Sequence, residues 1–337
     1  IYREKFGIDP LEFVSDQVIK NDDIVGVFED RVVGSEKGSW TKTEDLTEDQ
    51  ETIYNAATVS RALHENTEFG HDGNPCFEGK RFQYWGKLNQ NARTVFNLED
   101  TGYFDGSVDS TGPLNMAVFL SPGYCSDYAW LKINDVAFAA KVLSDGRTTG
   151  HPAQSRKGIG ESKYETRYCL PFTMGVGNAM HVLRFYQFMK AREHSDNPVE
   201  AYLINTTGRV GSKYNWEEVQ LGSQKVSVPK TVFEVVGTRI KAVGGASPSI
   251  QETELFLLQA ARGAVKYEPH PIWGNKVLAP IEVPGLSDIR LKELNPFTYH
   301  SLEEMGRLLR SQILTSKFNL AQQCPGLPDY IYDSMDF

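Results

Sequence analysis

The sequence predicts an α/β fold: a mixed sheet with flanking helices. Two observations carry this expectation. The amphipathic run MHVLRFYQFMKAREH feeds through Asp196-Asn197-Pro198 into the strand-like AYLINT and the glycine turn TGRVGSKYN, and upstream lies the strongly apolar run NMAVFLS. Helix, strand and turn in that order are the repeating grammar of α/β domains. Composition agrees: of 337 residues, 40% are hydrophobic and 23% charged, enough apolar side chain for a sizeable core and far from the composition of a disordered chain. The length corresponds to about two domain-lengths.

Taken in order, LEFVSDQVIK has apolar residues at helical spacing, DIVGVFEDRVV reads as a buried strand, and EDLTEDQETIYNAATVSRAL contains a helix with an acidic first turn. The stretch NTEFGHDGN is turn chemistry. KRFQYW and RTVFNL then read as short strands, followed by the turn-rich DTGYFDGSVDSTGP and by NMAVFLS. AWLKINDVAFAAKVLSDG reads as one helix presenting Leu131, Val136, Phe138, Ala139 and Val142 to a core and ended by Gly146. After AYLINT, the segments KTVFEVVGTRIKAV and QETELFLLQAARG are both expected as helices. The proline-rich PHPIWGNKVLAPIEVPGL leads to a closing helix, SLEEMGRLLRSQIL, in which Ser301 and Glu304 form a capping box.

Lys and Arg number 35 against 44 Asp and Glu, a net charge of −9, which argues against a surface built to neutralise nucleic acid. Cys76, Cys125, Cys169 and Cys324 form no CxxC pair, so neither a zinc ribbon nor a thioredoxin-type motif is present and reduced thiols in a cytoplasmic protein are expected. No apolar run reaches the ~18 residues of a membrane span, and the opening IYREKFGIDP has no hydrophobic signal core. The chain starts at Ile1 rather than Met, so it is expected to be a processed product or the C-terminal portion of a longer one.

Three stretches are candidates for chemistry. In Arg147 to Arg167, Arg156 and Lys157 stand among glycines and serines without apolar period; guanidinium forks and exposed backbone N–H groups suit phosphate oxygens, and a solvated basic loop is the alternative. The turn after AYLINT carries Gly208 and Gly211 with Arg209 and Lys213, where α/β sheets meet ligands, although glycine turns of this kind also serve folding alone. No GxxxxGK[ST] phosphate loop occurs; the nearest substitute is Gly34 to Ser39, where Glu36 would set a negative charge beside the phosphates. The seven histidines, including His64, His71, His151 and His181, show no tight metal spacing. His181 reads as structural and His71-Asp72 as a loop pair. No GxSxG elbow or Cys-His signature marks a hydrolase.

From about Asn115 to Leu314, three-fifths of the chain, these segments together resemble the C-terminal catalytic lobe of ATP-type phosphoenolpyruvate carboxykinase. HPAQSRKGIGESKYETRYCLPFTM is similar to the family's TERG-type loop and CFGAPF segment, with Arg156 at the loop arginine and CLPF at residues 169–172. HVLRFYQFMK and AYLINTTGRVG resemble the family's helix and WLVNTGW-glycine turn. The family's basic residue and TRA-type helix start are similar to Gln224-Lys225 and Lys230-Thr231, and VPGLSDIRLKELNP with the Ser301 helix is similar to its closing pattern. PCFEGKRFQYWGK and SRALHENTEFGHDG extend the likeness upstream more thinly. The resemblance sets residues 76–337 as the carboxykinase-like lobe and 1–75 as a divergent segment with a degenerate phosphate-loop region.

The resemblance implies decarboxylation of oxaloacetate and phosphorylation of the resulting enolate by ATP, with Mg²⁺ or Mn²⁺ bridging. Arg156 would stabilise the transferring phosphoryl group, and Gly208, Lys225 and Thr231 would line the base and ribose side. The family's paired metal-binding aspartates fall on Asn66 and Thr67, which cannot supply a carboxylate's charge. The remaining metal ligands and the substrate-binding domain are expected on an N-terminal portion of the same gene product. Two alternatives stand beside this reading: a non-catalytic or regulatory module that keeps the lobe, and a kinase of another small molecule on the same scaffold.

Overall fold

The computed structural model describes residues 18–21, 25–44, 46–77, 92–110, 112–149, 164–166, 177–206, 209–236 and 239–337. The described residues within 9–114 form one compact unit, and those within 115–149 and 164–337 form a second. The described residues 76–77, 92–110 and 112–114 thus group with those before them, whereas the sequence reading placed its boundary at 75/76.

The first unit is built from short strands. β1 (Val25–Val27) and β2 (Val32–Gly34) make an antiparallel hairpin, closed where Phe28 N–H donates to the Arg31 carbonyl at 2.9 Å. This corrects the expected single buried strand. The charged Glu29-Asp30-Arg31 breaks the apolar run into a turn, and Val25 and Val27 lie exposed. β3 (Gly38–Lys42), α1 (Glu51–Thr58), β4 (Leu63–Glu65), β5 (Glu68–Phe69), β6 (Pro75–Cys76) and β7 (Arg93–Asn97) follow. β7 is central in a three-stranded antiparallel sheet, β3-β7-β4. Its alternation turns Thr94 and Phe96 inward, and Phe96 packs with Leu46, Ala56, Ala57 and Phe77. Residues 11–17 of LEFVSDQVIK and the whole of KRFQYW lie outside the described residues.

The second unit is a five-stranded mixed sheet of order β17-β18-β9-β12-β8. Its first strands are β8 (Met116–Ser121) and β9 (Trp130–Ile133), and α2 (Val136–Asp145) comes next. The expected long helix over AWLKINDVAFAAKVLSDG is therefore strand then helix. Asp135 divides them, its carboxylate accepting from Phe138 N–H at 2.7 Å as an N-cap, while Gly146 closes α2 at φ 44° as its position predicted. The small hairpin β10 (Arg147–Thr149) and β11 (Tyr164–Thr166), α3 (Asn178–Arg192) and β12 (Glu200–Asn205) follow. β12 runs parallel to β8, in register from Glu200 opposite Met116 to Asn205 opposite Ser121, and antiparallel to β9.

Beyond β12, β13 (Tyr214–Leu221) and β14 (Gln224–Thr231) form a hairpin, and β15 (Phe233–Val236) pairs with β16 (Arg239–Ala242). The helix expected over KTVFEVVGTRIKAV is thus absent: its β-branched and aromatic residues suit an extended chain better than a helix. α4 (Ile250–Ala261), β17 (Lys266–His270), β18 (Gly274–Glu282), α5 (Asp288–Glu293), α6 (Leu302–Gln323) and α7 (Asp329–Tyr332) complete the unit. Ser301 caps α6 by accepting from Glu304 N–H at 3.2 Å, but the Glu304 carboxylate accepts from the Tyr214 hydroxyl at 2.5 Å, so it is drawn towards β13.

Helices cover both faces of the sheet. Trp130, Tyr202 and Ile204 pack with Phe256 and Ala260 of α4 and Leu291 of α5. Leu131, Ile133, Ala201 and Val277 pack with Phe138 and Val142 of α2 and Met189 of α3. The α/β expectation with flanking helices holds for this unit. Among the described residues no helix is long and apolar enough to cross a membrane.

Candidate functional site

The parallel pair β8 and β12 ends in register at Ser121 and Asn205, so both chains leave the sheet at one place. Asn205 locks them together. Its buried carboxamide Oδ1 accepts from Gly123 N–H at 3.0 Å, its own N–H donates to the Ala129 carbonyl at 2.9 Å, and Thr206 N–H donates to the Ser121 carbonyl at 2.9 Å. Gly123 is required sterically, because a Cβ there would lie 2.0 Å from Asn205 Nδ2.

Beside these strand ends opens a crevice of about 340 Å³. Leu120, Ile204, Asn205 and Thr206 line it from the strand ends, and Ser247 to Ile250 with Thr253 and Glu254, before and within the start of α4, make its other wall. Ser249 and Glu252 make a capping box: Glu252 N–H donates to Ser249 Oγ at 3.1 Å, and Ser249 N–H to Glu252 Oε2 at 2.7 Å. Arg290 of α5 grips the same carboxylate through Nε at 2.8 Å and Nη2 at 3.0 Å. Burial alone would raise the Glu252 carboxyl; the Arg290 and Ser249 hydrogen bonds outweigh it and hold the group below the usual carboxylate range. Behind the wall the Trp130 indole stacks on Phe256, ring centres 4.9 Å apart, and donates through Nε1 to Thr253 Oγ1 at 3.3 Å.

The chemistry of the lining is specific. Asn205, Thr206, Ser247, Ser249 and Thr253 offer neutral donors and acceptors, Glu254 one carboxylate, and no Lys or Arg is among the described lining residues. Leu120 and Ile250 are 67% and 53% exposed, leaving bare aliphatic surface at the crevice. Aliphatic walls with a few convergent neutral polar groups suit a flat ring bearing hydroxyl or amino substituents better than a phosphate.

The residues singled out in the sequence distribute unevenly. Arg156, Lys157 and Gly208 lie outside the described residues, as does His151. Lys225 stands exposed beside the β13–β14 turn, 3.7 Å from Glu218, whereas Thr231 is buried at the far end of β14 opposite Tyr214. Six residues of strand put them roughly 20 Å apart. The structure does not bring these two together, and neither lines the crevice. The helix start sought at Lys230-Thr231 is strand here; the helix that opens on the strand ends begins at Ile250 and contributes Thr253. Thr253 was missed, although the Ser249-x-x-Glu252 box just before an apolar period was legible. Gly211 sits in the left-handed region at φ 67°, its N–H donating to the Cys125 carbonyl at 2.8 Å. Nearby, the Arg209 guanidinium lies 4.7 Å from the Phe233 ring centre.

In the first unit, the Gly34 to Ser39 stretch is engaged otherwise. Ser35 and Glu36 N–H groups both donate to Asn21 Oδ1 at 3.1 Å, and Lys37 Nζ donates to the Gly106 carbonyl at 3.1 Å. Asn66, at φ 52°, and Thr67 form the turn between β4 and β5, with Thr67 Oγ1 donating to the Glu65 carbonyl at 3.2 Å. Among the described residues no three His, Cys, Asp or Glu side chains gather to hold a metal ion. Burial lowers the pKa of His64, and burial followed by the Arg184 charge lowers that of His181.

Two thiols are inert by placement. Burial, then the nearby Asp127 charge, pushes Cys125 up to about 12, and burial pushes Cys324 up to about 11. Since the thiolate is the nucleophile, brief native labelling with iodoacetamide followed by peptide mapping should modify the partly exposed Cys76 well before Cys125 or Cys324. Equal labelling of Cys125 and Cys76 would contradict this burial.

No protein-family model matches the chain, and no curated protein matches its sequence.

Proposed function

We propose that the chain is a phosphoenolpyruvate carboxykinase-like protein whose second unit seats the base and ribose of ATP in the crevice at the ends of β8 and β12. The observation that supports it is the in-register parallel pair locked by Asn205, with a crevice beyond it that is lined mainly by hydroxyls and amides and by one carboxylate, Glu254. Ligands of open α/β sheets collect outside the carboxyl ends of such strands. On this reading oxaloacetate and ATP yield phosphoenolpyruvate, CO₂ and ADP. Arg156 donates to the phosphoryl oxygens as negative charge moves onto the leaving ADP, and positive charge is needed at the enolate oxygen. Asn205, Thr206, Ser249 and Thr253 line the nucleotide in place of Lys225 and Thr231, which lie away from the crevice, and Gly208 keeps its expected place in the turn after β12 as part of the proposal. The family's metal-binding carboxylates fall on Asn66 and Thr67, an amide and a hydroxyl that do not fit a divalent ion.

The second reading is a nucleotide-binding module without turnover. Asn66 and Thr67 favour it, as does the engagement of the Ser35 and Glu36 amides by Asn21. Calorimetry with MgATP and a coupled assay for phosphoenolpyruvate separate the two. Ligand at about 100 times its Kd should stabilise the folded chain by about 2.7 kcal/mol. Binding with product formation that is lost in Arg156→Ala supports the enzyme, binding alone supports the module, and absence of binding removes the nucleotide from the crevice.

A further inference from the structure

We propose that Arg290 and Glu252 are positioning residues for the crevice: a single guanidinium, reaching from α5, sets the wall against which the ligand is held. This rests on the crevice being the nucleotide site. The part of the wall before α4, Ser247-Pro248-Ser249, belongs to no helix or strand. Before it, Ala246 makes an isolated bridge with Val210, and from there to the helix the chain runs through Ser247-Pro248-Ser249. Arg290 spans that interval. Its Nη2 donates to the Ser247 carbonyl at 2.5 Å and to Glu252 Oε2 at 3.0 Å, while Nε donates to Glu252 Oε1 at 2.8 Å. The same Glu252 oxygen that receives Nη2 also receives Ser249 N–H at 2.7 Å. Residues 247, 249 and 252 are thereby tied to one planar group, and Pro248 between them has a fixed φ.

The guanidinium is held in turn. Nη1 donates to Glu293 Oε2 at 2.8 Å within α5, and Leu291 and Leu294 of that segment pack in the same cluster as Ile204 and Phe256. The clasp therefore refers the wall to the sheet that carries Asn205, fixing the gap between Ser249 or Thr253 on one side and Asn205 on the other. Only a fork of several rigidly spaced donors can meet a carboxylate and a carbonyl together. A lysine ammonium supplies the charge as a single point and cannot replace it.

Three variants of the full chain test the idea: Arg290→Lys, Glu252→Gln, and Lys266→Ala as a control in the exposed Lys266–Glu282 pair on β17 and β18. Each is measured well below its own melting temperature, by calorimetry with MgATP and by amide hydrogen exchange over residues 246–254. The expected result is faster exchange across 249–254 and MgATP affinity about tenfold weaker in Arg290→Lys and in Glu252→Gln, with the double variant no worse than either single one, as for partners in one network. The control should match the parent. A brace that only stabilises the fold would lower the melting temperature and leave the affinity of the folded protein unchanged, and that result overturns the proposal. So does parental exchange in both clasp variants. A parent protein that binds no MgATP overturns the nucleotide reading itself, an outcome distinct from a parent that binds and variants that bind as well.

Discussion

Gly123→Ala is expected to destabilise the second unit by about 4 kcal/mol, from roughly 2 kcal/mol of overpacking and a similar loss at a stranded buried hydrogen bond. The added methyl would lie 2.0, 2.1 and 2.3 Å from Nδ2, Cγ and Oδ1 of Asn205, well inside any tolerable contact. Asn205 is 4% exposed at the end of a central strand and has little room to retreat. Moving it would break the bond that Gly123 N–H makes to Oδ1 and open the end of the parallel pair. Urea denaturation should show a lower midpoint with an unchanged slope. The compensating test is Gly123→Ala with Asn205→Ala, which removes the colliding amide. The double variant should be clearly more stable than the sum of its single changes predicts. Simple additivity would show that the two residues do not meet as described.

Acidification from pH 7 to 4 is expected to remove about 3 kcal/mol of stability through His270 alone. The ring is 2% exposed and is surrounded by Tyr128, Trp273 and Phe297, with Nδ1 accepting from the N–H groups of Ile272 and Trp273 at 3.1 and 3.3 Å. Burial pushes its pKa down to about 4. The imidazole is therefore neutral in the folded chain over a range where the unfolded chain, with an ordinary value of about 6.5, is already protonated. Between those two values the unfolded state binds the extra proton, so stability is complete above about pH 6.5 and falls as pH drops towards 4. His270→Asn keeps an acceptor for the two backbone donors and has no proton to gain. Carboxyls held low in the fold, such as Glu252, lose their contribution at acid pH in both proteins, so the difference between the parent and His270→Asn isolates the ring. Parallel stability curves from pH 7 to 4 would refute the assignment.

The parts of the fold that were legible in the sequence are those where one local rule acted without competition. Asn178–Arg192 and Ile250–Ala261 carry a helical period through their whole length, and Met116–Ser121 and Glu200–Asn205 are apolar runs bounded by turns. Reading failed where two rules met in one stretch. Trp130–Ile133 precedes a true helix closely enough to share its apolar spacing, and only the Asp135 cap separates strand from helix. Phe233–Val236 has both helix-like spacing and strand-forming residues, and pairing with Arg239–Ala242 decides between them. The crevice was half visible. The glycine turn after AYLINT marked the end of this strand as a place where ligands are met, without singling out Asn205, and the other wall lies more than forty residues later at Ser249 and Thr253, where no local pattern states that the two stretches meet.

The indole that backs the crevice gives the molecule its own optical gauge. Trp130 is 1% exposed and hydrogen-bonded to a hydroxyl of the lining, whereas Trp40 and Trp216 face solvent at 59% and 41%. Iodide in solution quenches the emission of the outer pair and spares the shielded ring. Trp273 is also partly buried, so it is the share of the shielded light lost in Trp130→Phe that reports on the α4 side of the crevice.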